Sequence, residues 1–164
     1  MKQTNNKSKS LMKQSTAYGM EKIGAPCVVA HCKGENFYFL IDTGSSDNHL
    51  VAYAYQFFKE TFDGVIFDEE GVSTTTGLGG SFECKKCSFS FFIGRTRFED
   101  TFVLLPNQEV FGRLSEKMDG PIVGILGGMF LKENHIVIDY ANGCLYTKRQ
   151  RRIVDAETDS LNAA

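Results

Sequence analysis

Residues 37–46 of the chain are Phe-Tyr-Phe-Leu-Ile-Asp-Thr-Gly-Ser-Ser, and this segment carries the most specific information in the sequence. Asp42 ends a predicted apolar strand, and a polar loop that changes the direction of the chain follows it. Such a carboxylate is costly to bury unless another group pairs with it. Gly44 lets the backbone approach closely, and the hydroxyls of Thr43 and Ser45 can donate hydrogen bonds. The simpler interpretation is an Asp that caps a turn, as Asp residues often do.

A second segment, about 80 residues further along, is also strongly patterned. Residues 122–127 are Ile-Val-Gly-Ile-Leu-Gly, an apolar strand that contains Ile125, Leu126 and Gly127. A short helix is predicted over 129–133. A last hairpin follows, over 135–148, around an Asn-Gly turn.

Short apolar runs broken by glycine predict a mainly β chain. Residues 72–76 and 81–93 flank a Gly-Leu-Gly-Gly tip and predict a long hairpin. Its second arm alternates from Cys87 to Ile93, which indicates one buried face. The remaining predicted strands are 25–32, 36–42, 49–51 and 96–105, and further helices are predicted over 52–61 and 109–118.

The two patterned segments together resemble the retropepsin-like aspartic proteases. In that family an apolar-Asp-Thr-Gly-Ser loop comes first, and an apolar-apolar-Gly strand that leads into a short helix comes later. The hairpin tip falls where the family has its flap, which closes over substrate. The resemblance covers roughly residues 25–148.

The resemblance implies an all-β fold of a single lobe, a closed barrel with two or three short helices. The later strand passes behind the Asp-Thr-Gly loop and forms a ψ-shaped unit with it, to which Ile125, Leu126 and Gly127 contribute. The implied activity is peptide-bond hydrolysis by two facing carboxylates. One chain without an internal repeat supplies one Asp-Thr-Gly, so the implied partner is a second copy in a homodimer. The implied substrate is an extended peptide or protein, and no cofactor or metal is implied.

The resemblance also assigns roles to residues. Asp42 is the catalytic acid and base, Thr43 bonds across the twofold axis, and Gly44 turns backbone N–H groups toward the carboxylates. Ser45 bonds the outer carboxylate oxygen. The flap residues that cover the substrate are Gly77, Leu78, Gly79 and Gly80.

One position departs from the family pattern. Many relatives have Asp where this chain has Met129, although that position is not the catalytic carboxylate. The departure leaves open an alternative function, an inactive dimerisation or peptide-binding module that keeps the protease fold.

Other candidate groups have simpler interpretations. Asp139 is most simply a turn or strand-end residue, and His49 and His135 lie at predicted strand edges. Cys84 and Cys87 have metal-ligand spacing, but a second ligand pair is missing. Two thiols without a functional role are the favoured interpretation; a small zinc-binding β domain or a reversible disulfide is the alternative.

Composition limits the partners. The net charge is −2, from 18 basic and 20 acidic residues without a dense basic stripe, so nucleic acid is not an expected partner. No window approaches the roughly 20 apolar residues of a membrane helix, so no membrane partner is expected. The N-terminus lacks the apolar stretch of a secretory signal, so we expect a cytoplasmic location. Polar tails are predicted over 1–20 and 151–164, around one domain over 21–150.

Overall fold

The computed structural model describes residues 12–62, 66–67, 72–77, 80–106 and 108–147, and strands predominate among them. The strands are β1 (Lys13–Ser15), β2 (Cys27–Cys32), β3 (Glu35–Asp42), β4 (Asn48–Val51), β5 (Ile66–Phe67), β6 (Val72–Gly77), β7 (Gly80–Ile93), β8 (Thr96–Leu105), β9 (Ile122–Gly127), β10 (Ile136–Asp139) and β11 (Cys144–Thr147). The helices are α1 (Ala17–Ile23), α2 (Ala52–Thr61), α3 (Glu109–Ser115) and α4 (Gly128–Glu133). The prediction of a mainly β chain with few helices is confirmed.

Six strands form a closed barrel in the order β2-β3-β9-β4-β8-β7. The barrel closes where β7 returns to β2, with His31 opposite Phe92. The His31 ring stacks on Phe92 at 5.3 Å between centroids, and its Nε2 lies 2.9 Å from the carbonyl oxygen of Gly94. A side-chain contact therefore reinforces the backbone pairing at the seam.

Strand β9 lies between β3 and β4, which run in opposite directions. It pairs in parallel with β3 and antiparallel with β4. Residues 43–47 join β3 to β4 across the end of β9. Two outer strands joined by a loop, with a third strand inserted between them, give this part of the barrel a ψ shape.

Phenylalanine supplies much of the barrel core. The alternation predicted from Cys87 to Ile93 is confirmed, because the side chains at odd positions are at most 1% exposed. The Phe89 ring lies 4.8 Å from Phe102 and 5.4 Å from Phe58 on α2, measured between centroids. Each buried Phe contributes about 1.5–3 kcal/mol, so this cluster dominates the stability of the barrel. The other fully buried rings in the described part of the chain are Phe37, Phe39, Phe91 and Phe130.

The described part of the chain begins at residue 12, inside the segment for which the sequence predicts a polar tail. Strand β1 pairs with β11, and β11 pairs with β10, in a separate three-stranded sheet. Met12 is 3% exposed, and the Thr16 N–H donates to the Gly143 carbonyl oxygen at 2.8 Å. Strand β1 pairs through its backbone, and its side chains are polar, so no apolar pattern in the sequence predicts it. Residues 1–11 and 148–164 lie outside the described residues.

The helices differ from prediction at three places. Helix α1 begins in the predicted tail and extends into the predicted domain, and it raises the number of helices in the described residues to four. It ends at Gly24, which adopts the left-handed conformation that glycine tolerates best. Helix α2 has its predicted bounds, α3 ends three residues earlier than predicted, and α4 begins one residue earlier. None of the helices in the described residues is long and apolar enough to cross a membrane.

A Gly124→Ala substitution tests the insertion of β9. A Cβ atom there would overlap the carbonyl oxygen of His49 on β4, so the two strands would have to separate. We expect a loss of about 3 kcal/mol in the free energy of unfolding, measured by urea denaturation.

Gly112→Ala is the matched control. Gly112 lies exposed on α3, and no atom lies within 4 Å of the position that an alanine methyl would occupy there. Alanine should therefore raise stability by about 0.5–1 kcal/mol. Equal effects of the two substitutions would contradict the close contact between β9 and β4.

Candidate active site

Asp42 is the last residue of β3, opposite Gly127 of β9, and its side chain is exposed at the end of the barrel. Its Oδ1 accepts a hydrogen bond from the Gly44 N–H at 2.9 Å, and its carbonyl oxygen accepts one from the Ser45 N–H at 3.2 Å. A Cβ at Gly44 would lie 3.2 Å from Oδ1, closer than most side chains tolerate. The loop thus forms a tight turn that orients the carboxylate with its own backbone.

Two backbone hydrogen bonds connect the loop to the start of α4. The Gly128 N–H donates to the Ser45 carbonyl oxygen at 2.6 Å, and the Met129 N–H donates to the Ser46 carbonyl oxygen at 3.2 Å. The first N–H groups of a helix have no partner within the helix, and here loop carbonyls satisfy two of them. A Cβ at Gly127 would overlap the Asp47 carbonyl oxygen, so glycine is required where the loop crosses β9.

Asn48 connects three strands beneath the loop. It is 6% exposed, and its Oδ1 accepts a hydrogen bond from the Gly127 N–H at 2.9 Å. Its Nδ2 donates to the Thr101 carbonyl oxygen on β8 at 3.4 Å. Asn48 is not among the site residues predicted from the sequence, although its position six residues after Asp42 places it at the start of β4.

The Ser45 hydroxyl bonds to groups other than the Asp42 carboxylate. It donates to the Asp47 carbonyl oxygen at 2.9 Å and lies 3.2 Å from Nδ1 of His49. His49 is buried on β4 rather than exposed at a strand edge. Burial lowers the pKa of His49 below its ordinary value, although the nearby Asp47 and Asp42 carboxylates act in the opposite direction.

The hairpin expected to serve as a flap is formed by β6 and the first half of β7. Its register runs from Val72 opposite Lys85 to Gly77 opposite Gly80. Gly77 and Gly80 are thus the last paired residues before the tip. Leu78 and Gly79, the other two predicted flap residues, lie outside the described residues.

The remaining candidate groups lie outside β3 and the loop that follows Asp42. Asp139 accepts hydrogen bonds from the Asn142 N–H at 3.0 Å and from its Nδ2 at 2.7 Å, and these bonds lower its pKa. It is therefore a turn residue of the three-stranded sheet. His135 is an exposed residue in the turn after α4, with φ of 53°. Met129 is 48% exposed on α4, so its side chain does not disturb the core.

Cys84 and Cys87 are separated by the geometry of β7. Residues three apart on a strand point to opposite faces, with Cα atoms about 10 Å apart. A disulfide requires less than about 7 Å, so this pair cannot form one while β7 is intact. Both thiols are buried, and the described residues contain no cluster of three metal-ligating side chains.

No protein-family model and no curated protein sequence matches the chain. The assignment of a function therefore depends on the geometry around Asp42.

An Asn48→Ala substitution should lower the free energy of unfolding by about 1–3 kcal/mol, because it leaves the buried Gly127 N–H without its acceptor. Denaturation in urea measures the loss. Asn36→Ala is the matched control, since Asn36 is exposed on β3 and its removal should change stability by about 0.5 kcal/mol or less. A neutral Asn48→Ala variant would show that this side chain does not support the loop.

The thiols should be unreactive in the native protein. All five cysteines are buried, and burial raises the pKa of Cys27 to about 11, so little thiolate is available at neutral pH. We expect slow labelling by a thiol-specific reagent such as DTNB and rapid labelling of all five in denaturant. Rapid labelling of two thiols under native conditions would instead indicate an accessible Cys84–Cys87 pair.

Proposed function

We propose that the protein is an aspartic endopeptidase of the retropepsin-like kind that acts as a homodimer. The observation that carries the proposal is an exposed carboxylate, Asp42, held by an Asp-Thr-Gly turn at the end of a closed barrel. The turn is fastened to an inserted strand and to the helix that follows it.

A second copy of the chain completes the site. Peptide hydrolysis of this type requires two facing carboxylates, and the described residues contain one Asp-Thr-Gly turn. The carboxylate of Asp42 is exposed in the single chain, so a twofold axis can bring two copies of it together. Two like charges in close contact cannot both ionise easily, so the pair shares one proton.

Because only one carboxylate of the pair carries the shared proton, the two carboxylates have different roles. The ionised carboxylate removes a proton from water, which attacks the carbonyl carbon of the scissile peptide bond. The protonated carboxylate donates its proton to the carbonyl oxygen, and a later transfer to the amide nitrogen releases the two products. The Gly44 N–H orients the carboxylate throughout. In the proposed dimer Thr43, which is exposed beside Asp42, bonds across the axis.

The substrate is an extended peptide with apolar side chains. Leu40 and Ile125 are directly paired, half-buried, and on the face of the barrel that carries Asp42. They offer apolar surface next to the reacting group. The β6–β7 hairpin provides backbone groups with which a peptide can pair as an added strand.

One observation favours a second candidate, a peptide-binding module without activity. Met129 presents a half-exposed apolar side chain next to the loop, where many relatives of the proposed family have Asp. A binding module would hold peptides with Asp42 intact but would not cleave them.

Asp42→Asn separates the two candidates. The amide cannot act as a general base, so cleavage of a peptide library between about pH 4 and 7 should fall by at least about a thousandfold. Light scattering over a concentration series should show the same dimer for both proteins. Asp139→Asn is the control, because Asp139 serves a turn, and this variant should cleave as the wild type does. Unchanged cleavage by Asp42→Asn would refute the protease assignment, and a strictly monomeric protein would favour the binding module.

A further inference from the structure

His49 occupies a buried position directly beside the Asp42 loop. It is 9% exposed on β4 and pairs with Val103 of β8 and with Ile125 of β9. Directly paired residues present their side chains on the same face of a sheet, so the imidazole lies between two apolar side chains.

The same register places His49 and Asp42 on one face of the barrel. Ile125 pairs with His49 on one side and with Leu40 on the other. Asp42 lies two residues beyond Leu40 on β3, and side chains two apart on a strand share a face. The imidazole is therefore diagonal to the carboxylate across β9.

A hydrogen-bond chain connects the imidazole to the loop. The Ser45 hydroxyl has one proton, which it donates to the Asp47 carbonyl oxygen. With that proton on the Asp47 bond, the contact of 3.2 Å between Ser45 Oγ and His49 Nδ1 is a hydrogen bond when Nδ1–H is the donor. The Ser45 carbonyl oxygen accepts a hydrogen bond from the Gly128 N–H. The imidazole therefore contacts a residue that connects the loop to α4.

Few charged groups surround the imidazole. They are Asp42 at the end of β3, Asp47 in the loop, and Lys86 of β7, which pairs with Val103 on the far side of β8 from His49. At these positions β8 and β9 present only apolar residues. Burial outweighs the two carboxylates and lowers the pKa of His49, so the imidazole is neutral at neutral pH.

We propose that His49 is a positioning residue for the Asp42 loop: as a neutral Nδ1–H imidazole it holds Ser45 in place without adding positive charge beside the carboxylate. This inference rests on the proposed protease function and concerns its regulation by pH. Protonation adds a proton at Nε2, which keeps the Ser45 hydrogen bond but creates a cation on the face that carries Asp42. The cation stabilises ionised Asp42, which is the form that serves as general base and the form that is lost as the pH falls. Cleavage should therefore persist to lower pH once His49 is charged, because the ionised carboxylate is retained.

Two substitutions separate the hydrogen bond from the charge. His49→Leu removes both, and we expect kcat to fall about tenfold with KM changed by about twofold or less, as for the loss of one orienting hydrogen bond. His49→Asn places an amide nitrogen near the position of Nδ1 without a titrating group, and it should restore kcat to within about threefold of wild type. On the acid side it should lose cleavage at a higher pH than the wild type does, because no cation then stabilises the ionised carboxylate. His31→Leu, which removes a histidine at the barrel seam, is the matched control and should leave the pH profile unchanged.

Nitrogen NMR of the histidine rings tests the same inference without requiring activity. In the wild type, the His49 ring should carry its proton on Nδ1 and titrate below the ordinary pKa of 6.5. Ser45→Ala should abolish the preference for Nδ1–H. Asp42→Asn should lower the pKa of His49 further, because a neighbouring negative charge is lost.

The outcomes distinguish the two proposals. A wild-type ring protonated on Nε2, or a His49→Leu variant with wild-type kcat, would overturn the positioning role. No cleavage by the wild type, together with an Nδ1–H ring that responds to Asp42→Asn, would reject the protease function and support the coupling of His49 to the loop.

Discussion

The close contact between β9 and the backbone of β4 is the constraint on which the site depends. At Gly124 and Gly127 a side chain would overlap carbonyl oxygens of His49 and Asp47, so both positions must lack a Cβ. This contact allows β9 to fill the space between β3 and β4 and to pair with both. The loop that joins those two strands then has to cross the end of β9, and it presents Asp42 there.

The barrel combines a rigid interior with a polar rim. Phenylalanine rings from β3, β7, β8, α2 and α4 pack at centroid separations of about 5–6 Å, and seven of them are almost fully buried. A packed interior of this kind deforms little, so the ends of its strands keep fixed relative positions. The carboxylate is thus held at the end of a strand whose neighbours pack in the barrel core.

The electrostatics of the loop depend on backbone dipoles and on one neutral imidazole. The Gly44 N–H stabilises the Asp42 carboxylate directly, whereas the loop carbonyls of Ser45 and Ser46 face the N–H groups of α4. His49 adds a hydrogen bond to this network but no charge at neutral pH. The described residues place no cation in hydrogen-bond contact with Asp42.

The sequence by itself determined the mainly β architecture, the Asp-Thr-Gly turn, the burial pattern of β7 and the bounds of α2, because each is a local pattern. It did not reveal β1 and α1, since their placement depends on backbone bonds and turn residues contributed by the distant C-terminal hairpin. Nor did it reveal Asn48 and His49 as supports of the loop, because their partners come from β8, β9 and the loop. Only the tertiary structure decided that Ser45 bonds to Asp47 and contacts His49, because several acceptors compete for one hydroxyl proton and their distances are set by packing.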